Sequence, residues 1–179
     1  IGAINGWALG AGSWLALSTH MTFASDNAVF GQPEVRRGSN TGFMWTLLAG
    51  PKNSLRYGLM GDHIDAQEAL RIGIVNQVVP HDELQDECFR LVERIALVPP
   101  ETVKINLAIT TMGLEMMGFR DAFLLDSQLS APAHLILREE HRRPLDEARQ
   151  KEGTRAYLKL RDGPFQPEPF GPRSRKKDE

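Results

Sequence analysis

Apolar positions change their spacing partway along the chain. Through Pro80 they come as short runs, among them IGAI, MTFA, AVF and IVNQVV, broken by Asn5-Gly6, Asp26-Asn27 and Gly73. Runs of this length, bounded by Gly, Asn and Asp, predict strands and turns. Residues 1–4 read as the end of a buried strand, MTFAS and AVFG as a tight strand–turn–strand unit, and IVNQVVP as a later strand. Beyond Pro80 the period becomes helical. Leu84, Cys88, Leu91, Val92 and Ile95 fall on one face of a helix over 82–97, which Pro99-Pro100 stops. Further helices are predicted over 101–112, 119–140 and 144–161.

Some helices are also expected among the strands. Residues 41–49 and 53–60 read as two, parted by Gly50-Pro51. DAQEALRIG reads as a short one, with Asp65 as N-cap, Glu68 at the capping-box position and Gly73 past its end. WLALSTH is apolar almost all round, so its helix is expected to be buried, with Ser13 placed to cap it. The closing PFQPEPFGPRSRKKDE is proline-rich, then charged, and is expected to be a frayed tail. Strands cluster early and helices late, an α/β chain with no evident linker.

Composition narrows the function classes. A net charge of −2 offers no broad basic field for nucleic acid or an anionic membrane. No apolar run is long enough for a membrane span, and the first residues lack the basic region of a signal peptide. The lone Cys88 rules out an intrachain disulfide framework and a cysteine-based zinc cluster. It fits a reducing compartment, and a cytoplasmic location is expected. The five histidines are scattered without metal-binding spacing, so no metal site is expected. The chain opens on IGAING without Met, and a missing N-terminal segment is expected.

Candidate chemistry lies at Gly10-Ala11-Gly12 and at Glu34. A turn feeding a helix leaves N–H groups of the first helical turn unpaired. Fixed donors of this kind can hold an oxygen on which negative charge develops. The Ala11 N–H is the candidate donor, and the small residues 10–12 would let a substrate approach the backbone. A tight turn without a ligand is the alternative. Neither phosphate fingerprint is complete: residue 15 is Leu, and no Gly-Lys-Ser/Thr follows. Glu34, after Pro33 and beside apolar sequence, is a candidate for proton transfer. Arg36 and Arg37 could bind phosphates, pair across an interface, pair with a glutamate or stay solvated.

INGWALGAGSWLAL, ASDNAVFGQPEVRRG and GLMGDHIDAQEALRIGIVNQVVP, in this order, resemble the crotonase family of enoyl-CoA hydratases and isomerases. The resemblance is good over 1–112 and looser in the late helices. It implies a spiral of ββα turns, of which 1–100 would be part, and a helical trimerisation region over 101–162, which leaves 163–179 as the tail expected from composition. It implies an acyl-CoA thioester as substrate, no further cofactor, and a homotrimer or dimer of trimers. It places an oxyanion-hole donor at Ala11, a second donor outside this chain, and an acid/base at Glu34. Gly10, Gly12, Trp14 and Gly42 would line the substrate site. Hydratases of the family use a second glutamate where this chain has Trp14, and an indole N–H donates but does not titrate usefully. Isomerisation needs only one base that removes and returns a proton, so isomerase-type enolate chemistry is expected. A thioester or carbon–carbon hydrolase and a non-catalytic acyl-CoA binder are the alternatives.

Overall fold

The computed structural model describes residues 1–38 and 42–172. The early strands form two three-stranded sheets. In the first, β1 (Gly2–Ile4), β3 (Thr22–Ser25) and β6 (Gln77–Val79) run parallel, with Phe23 between Ala3 and Gln77. In the second, β2 (Trp7–Leu9) pairs in parallel with β4 (Val29–Gly31), and β4 pairs antiparallel with β5 (Ile64–Asp65). The first four strands therefore alternate between the sheets, and β5 stays in the second with β4. Asp26-Asn27 does make the expected turn, closed by Ala28 N–H on Ser25 O at 2.9 Å, but it carries the chain from one sheet to the other. The strands on either side of it do not pair with each other.

Helix α1 (Ala11–Leu17) links β2 to β3, and α2 (Phe43–Gly58) follows β4. Gly50, at φ 77° and ψ 162°, divides α2 where Gly50-Pro51 predicts a break. The core packs Ala8, Phe30 and Ile64 of the second sheet against Trp45 and Tyr57 of α2 and Ile72. Phe30 and Ile64 are wholly buried, and burying such side chains stabilises the fold by about 1.5–3 kcal/mol each. Phe23, Val79, Leu84 and Cys88 form a second cluster under α4 (Leu84–Ala96), whose inward face includes the predicted Leu84 and Cys88.

Local signals at α3 (Ala66–Arg71) hold in part. Asp65 caps it by accepting from Glu68 N–H at 2.9 Å. The reciprocal bond of a capping box is replaced: Asp65 N–H donates to Phe170 O at 2.9 Å, and the Glu68 carboxylate takes Tyr57 and Arg71. Helix α1 departs from its expected burial. Ala16 and Leu17 are inside, yet Leu15 is 73% exposed. Its N-cap is Gly10, with no side-chain cap; Ser13 lies inside the helix and accepts from Trp45 Nε1 at 3.2 Å.

The late helices are α5 (Pro100–Met116), α6 (Phe119–Ile136), α7 (Glu139–Glu152) and α8 (Thr154–Asp162). The first stretch of the expected tail is not frayed. Gly163–Phe165 form a 3-10 turn, Glu168 is buried, and Phe170 accepts the bond from Asp65. The composition that suggests disorder here is outweighed by long-range polar partners. The rest of that tail, 173–179, lies outside the described residues.

Candidate active site

Gly10 is the centre of the site. Its backbone, at φ 54° and ψ −120°, lies in a region open only to glycine. Gly10 N–H donates to Gly31 O at 2.9 Å, which ties the turn to β4. From β4 the chain passes through Gln32 into a 3-10 turn, Pro33–Arg36, that carries Glu34. Arg37 and Gly38 N–H both donate to Glu34 O at 2.9 Å and close that turn. The side chain of Glu34 comes back over Gly10, so that a Cβ there would overlap Oε1. Parallel pairing of β2 with β4 thus sets the carboxylate directly against the glycine turn.

Three features give this pair chemical meaning. Ala11 opens α1 and is exposed, so its N–H, one of the first in the helix, has no intrahelical acceptor. Glu34 Oε2 is buried without a hydrogen-bond partner among the described residues. Trp14, one turn into α1 and half-buried, likewise has a buried Nε1 without a partner among them. A buried donor and a buried acceptor left unsatisfied each cost stability unless a ligand meets them.

The other expected residues are placed differently. Gly12 is exposed, and a Cβ there would meet nothing within 4 Å. Gly42 is the N-cap of α2, where its carbonyl accepts from Thr46 N–H at 3.0 Å. Most of the loop that joins it to Glu34's turn, residues 39–41, lies outside the described residues. Both arginines are paired within the chain: Arg37 with Asp146 at 2.9 Å, and Arg36 with Asp62, Asp162 and Glu168. Sequence reasoning missed those acids, which are distant along the chain and follow no motif. Among the described residues, no group of three or more His, Cys, Asp or Glu could hold a metal ion, and no helix is long and apolar enough to cross a membrane.

Comparison with known proteins follows the same outline. The profile of the enoyl-CoA hydratase/isomerase family matches residues 1–167 and so takes in the late helices as well. Crotonyl-CoA hydratase of Syntrophomonas wolfei is 39% identical over 119 residues, 64% of this chain and 46% of that protein. Carnitinyl-CoA dehydratase of Proteus mirabilis is 41% identical over 107 residues, 58% of this chain and 41% of that protein. The crystal structure of an enoyl-CoA hydratase/isomerase from Xanthobacter autotrophicus Py2 superposes with a TM-score of 0.81 at 28% identity, covering 91% of this chain and 61% of that one. The chain therefore spans about half the length of the curated relatives it matches. With the profile matching residues 1–167, the chain belongs to the enoyl-CoA hydratase/isomerase family.

Proposed function

We propose that the protein moves a proton on the acyl chain of a coenzyme A thioester, with Glu34 as the proton carrier and the Ala11 N–H as one donor to the thioester oxygen. The observation that carries this reading is the contact between Glu34 and Gly10, with Glu34 Oε2 unpartnered beside the helix start. Gly10 belongs to the substrate-binding turn because it lets the carboxylate approach the backbone. Gly12 and Gly42 remain candidates by family position alone.

The favoured reaction is isomerisation of a 3-enoyl to a 2-enoyl thioester. Glu34 Oε2 takes a proton from C2, and the electron pair moves onto the thioester oxygen, where the Ala11 N–H meets the developing charge. The protonated Glu34 then delivers that proton to C4. The double bond shifts from C3–C4 to C2–C3, the charge on oxygen is discharged, and no water is consumed. No cofactor is called for. Hydration would need a second group to handle water, and by the resemblance Trp14 takes the place of the glutamate that would do so.

The exposed apolar side chains of α5 and α6, with Met116 89% and Leu135 86% exposed, support assembly into a homotrimer. The free, buried Cys88 supports a reducing location such as the cytoplasm.

The test is product mass. The full-length protein is incubated with a 2-enoyl-CoA and, separately, a 3-enoyl-CoA in water enriched in heavy oxygen. Conversion of the 3-enoyl ester without uptake of oxygen, abolished by Glu34→Gln, is expected. A labelled hydroxyl on an intact thioester would replace isomerisation by hydration, release of free CoA would indicate a hydrolase, and an undiminished rate in Glu34→Gln would remove Glu34 from the mechanism.

A further inference from the structure

Two residues after Glu34, on the same 3-10 turn, Arg36 has its side chain 1% exposed. Its guanidinium is almost fully used. Nε donates to Met60 O at 2.8 Å, Nη1 to Asp162 at 3.1 Å, and Nη2 to Glu168 at 2.9 Å and Asp62 at 3.3 Å. The ring of Phe165 lies 4.0 Å from its central carbon. Four of five N–H donors and one face are thus engaged.

Each acid is also held from a second side. Arg56 reaches Asp62 at 3.1 Å, Arg161 reaches Asp162 at 2.7 Å, and His63 Nδ1 lies 2.9 Å from Glu168. Three guanidinium groups face three carboxylates, so the cluster has no surplus positive charge with which to hold a phosphate. Its geometry is that of an anchor. The loop after α2 fits against the same turn at Gly61, where φ is 70° and a Cβ would come within 2.9 Å of Val35 and 3.2 Å of Arg36 Nε.

Apart from Arg36, the turn is held by the Arg37–Asp146 pair and by Val35 against Gly61. It is four residues long, its closing bonds run from Arg37 and Gly38 to Glu34 O, and Oε2 of Glu34 has no partner among the described residues. The direction of the carboxylate therefore depends on where the backbone of the turn is fixed. Arg36 fixes it to two remote segments, Met60–Asp62 and Asp162–Glu168.

We infer that the C-terminal segment Asp162–Glu168 is a positioning element for Glu34, acting through Arg36, so that docking of the chain's end sets the aim of the proton carrier. This rests on the role proposed above for Glu34. Arg36, Glu168 and Phe165 touch no reacting atom. They keep the carboxylate over Gly10, and misplacement by about 1 Å can cost about a hundredfold in rate.

The experiment measures kcat and KM for a 3-enoyl-CoA in the full-length protein and in Glu34→Gln, Arg36→Lys, Glu168→Ala, Glu168→Gln and Arg37→Met, each checked for cooperative unfolding above the assay temperature. Expected are kcat values about 10-fold to 100-fold lower in Arg36→Lys and Glu168→Ala with KM nearly unchanged. Glu168→Gln keeps an acceptor for Arg36 and should recover part of the rate. Arg37→Met, which breaks the neighbouring pair with Asp146, should leave kcat within about twofold. If Glu34→Gln loses its rate while Glu168→Ala keeps wild-type kcat, the positioning role is overturned and Glu34's role stands. If Glu34→Gln keeps its rate, both fall. Equal losses in Arg37→Met and Glu168→Ala, or failure of even Glu168→Gln to fold, would make the cluster a plain requirement of the fold and overturn the inference.

Discussion

The carboxylate of Glu34 lies against Gly10 so closely that no side chain fits between them: a Cβ on Gly10 would overlap Oε1 and approach Cδ to 2.7 Å. The glycine is therefore required twice, for its backbone angles and for the space it leaves. Gly10→Ala should destabilise the fold by about 1–3 kcal/mol through backbone strain alone. It should also push Glu34 off the turn and lower turnover by about a hundredfold or more. Urea denaturation and kcat together test this; a folded Gly10→Ala with normal kcat would show that the contact has no catalytic weight.

Trp14 bears on the proposed choice between isomerisation and hydration. Its indole nitrogen is buried without a partner among the described residues and cannot act as a base. Trp14→Glu supplies a second carboxylate on the first turn of α1 in place of the bulky indole. Hydration of a 2-enoyl-CoA should then rise by about tenfold or more, measured as heavy oxygen gained by an intact thioester. No gain of oxygen in a folded variant would mean that something other than residue 14 keeps water out.

What could be read from the sequence was what local chemistry determines. The cap at Asp65, the break at Gly50 and the buried face of α4 each depend on residues a few positions apart. Strand β2 escaped notice because Trp7–Leu9 is too short to show a period, and its partner β4 lies beyond α1 and β3. Leu15 is exposed although WLAL reads as buried, because tertiary packing and not composition chooses the inward face. That Glu34 and the glycine turn meet was legible through a motif. The anchoring of Glu34's turn was not, since Arg36 finds Asp162 and Glu168 126 and 132 residues away. The proline-rich end looks frayed by composition and is fixed by those same bonds.

Tyr57 offers a test inside the core. Its hydroxyl donates to Glu68 Oε1, and Arg71 holds the same carboxylate through two bonds of 2.6 Å. Burial, then the bond to Glu68, pushes the phenol far above its ordinary value, so it stays a neutral donor at any physiological pH. Tyr57→Phe removes one bond to a buried charge without opening a cavity. A loss of about 1.5–3 kcal/mol is expected in urea denaturation; a loss under about 0.5 kcal/mol would mean that Arg71 alone satisfies Glu68.

Helix α5 buries none of its side chains, and on α6 Leu129 and Leu135 stand exposed beside Ile136. If these faces join copies of the protein, Met116→Lys with Leu135→Lys should convert the full-length assembly to monomers. Light scattering after size exclusion reads this directly. An unchanged mass would direct attention to another surface.

Acid should loosen the anchored C-terminal segment before it unfolds the rest. Burial works against ionisation of Glu168, but the hydrogen bonds from His63 and Arg36 and their charges outweigh it and hold its carboxyl below the ordinary 4.5. Asp162 is likewise held below 3.8, with Arg161 and Arg36 outweighing its burial. A carboxyl whose pKa is lower in the folded state binds fewer protons there than when unfolded. Its stabilisation is thus complete above the unfolded value and is lost as pH falls from about 4.5 through the lower folded one. Protonated, Asp162 and Glu168 no longer offset the guanidinium they face. Urea midpoints measured from pH 6 down to pH 3 should fall for the wild type, and less steeply for Glu168→Gln, which has already lost that carboxylate. Parallel curves would mean that Glu168 contributes no acid sensitivity and that its pairing with Arg36 is electrostatically idle.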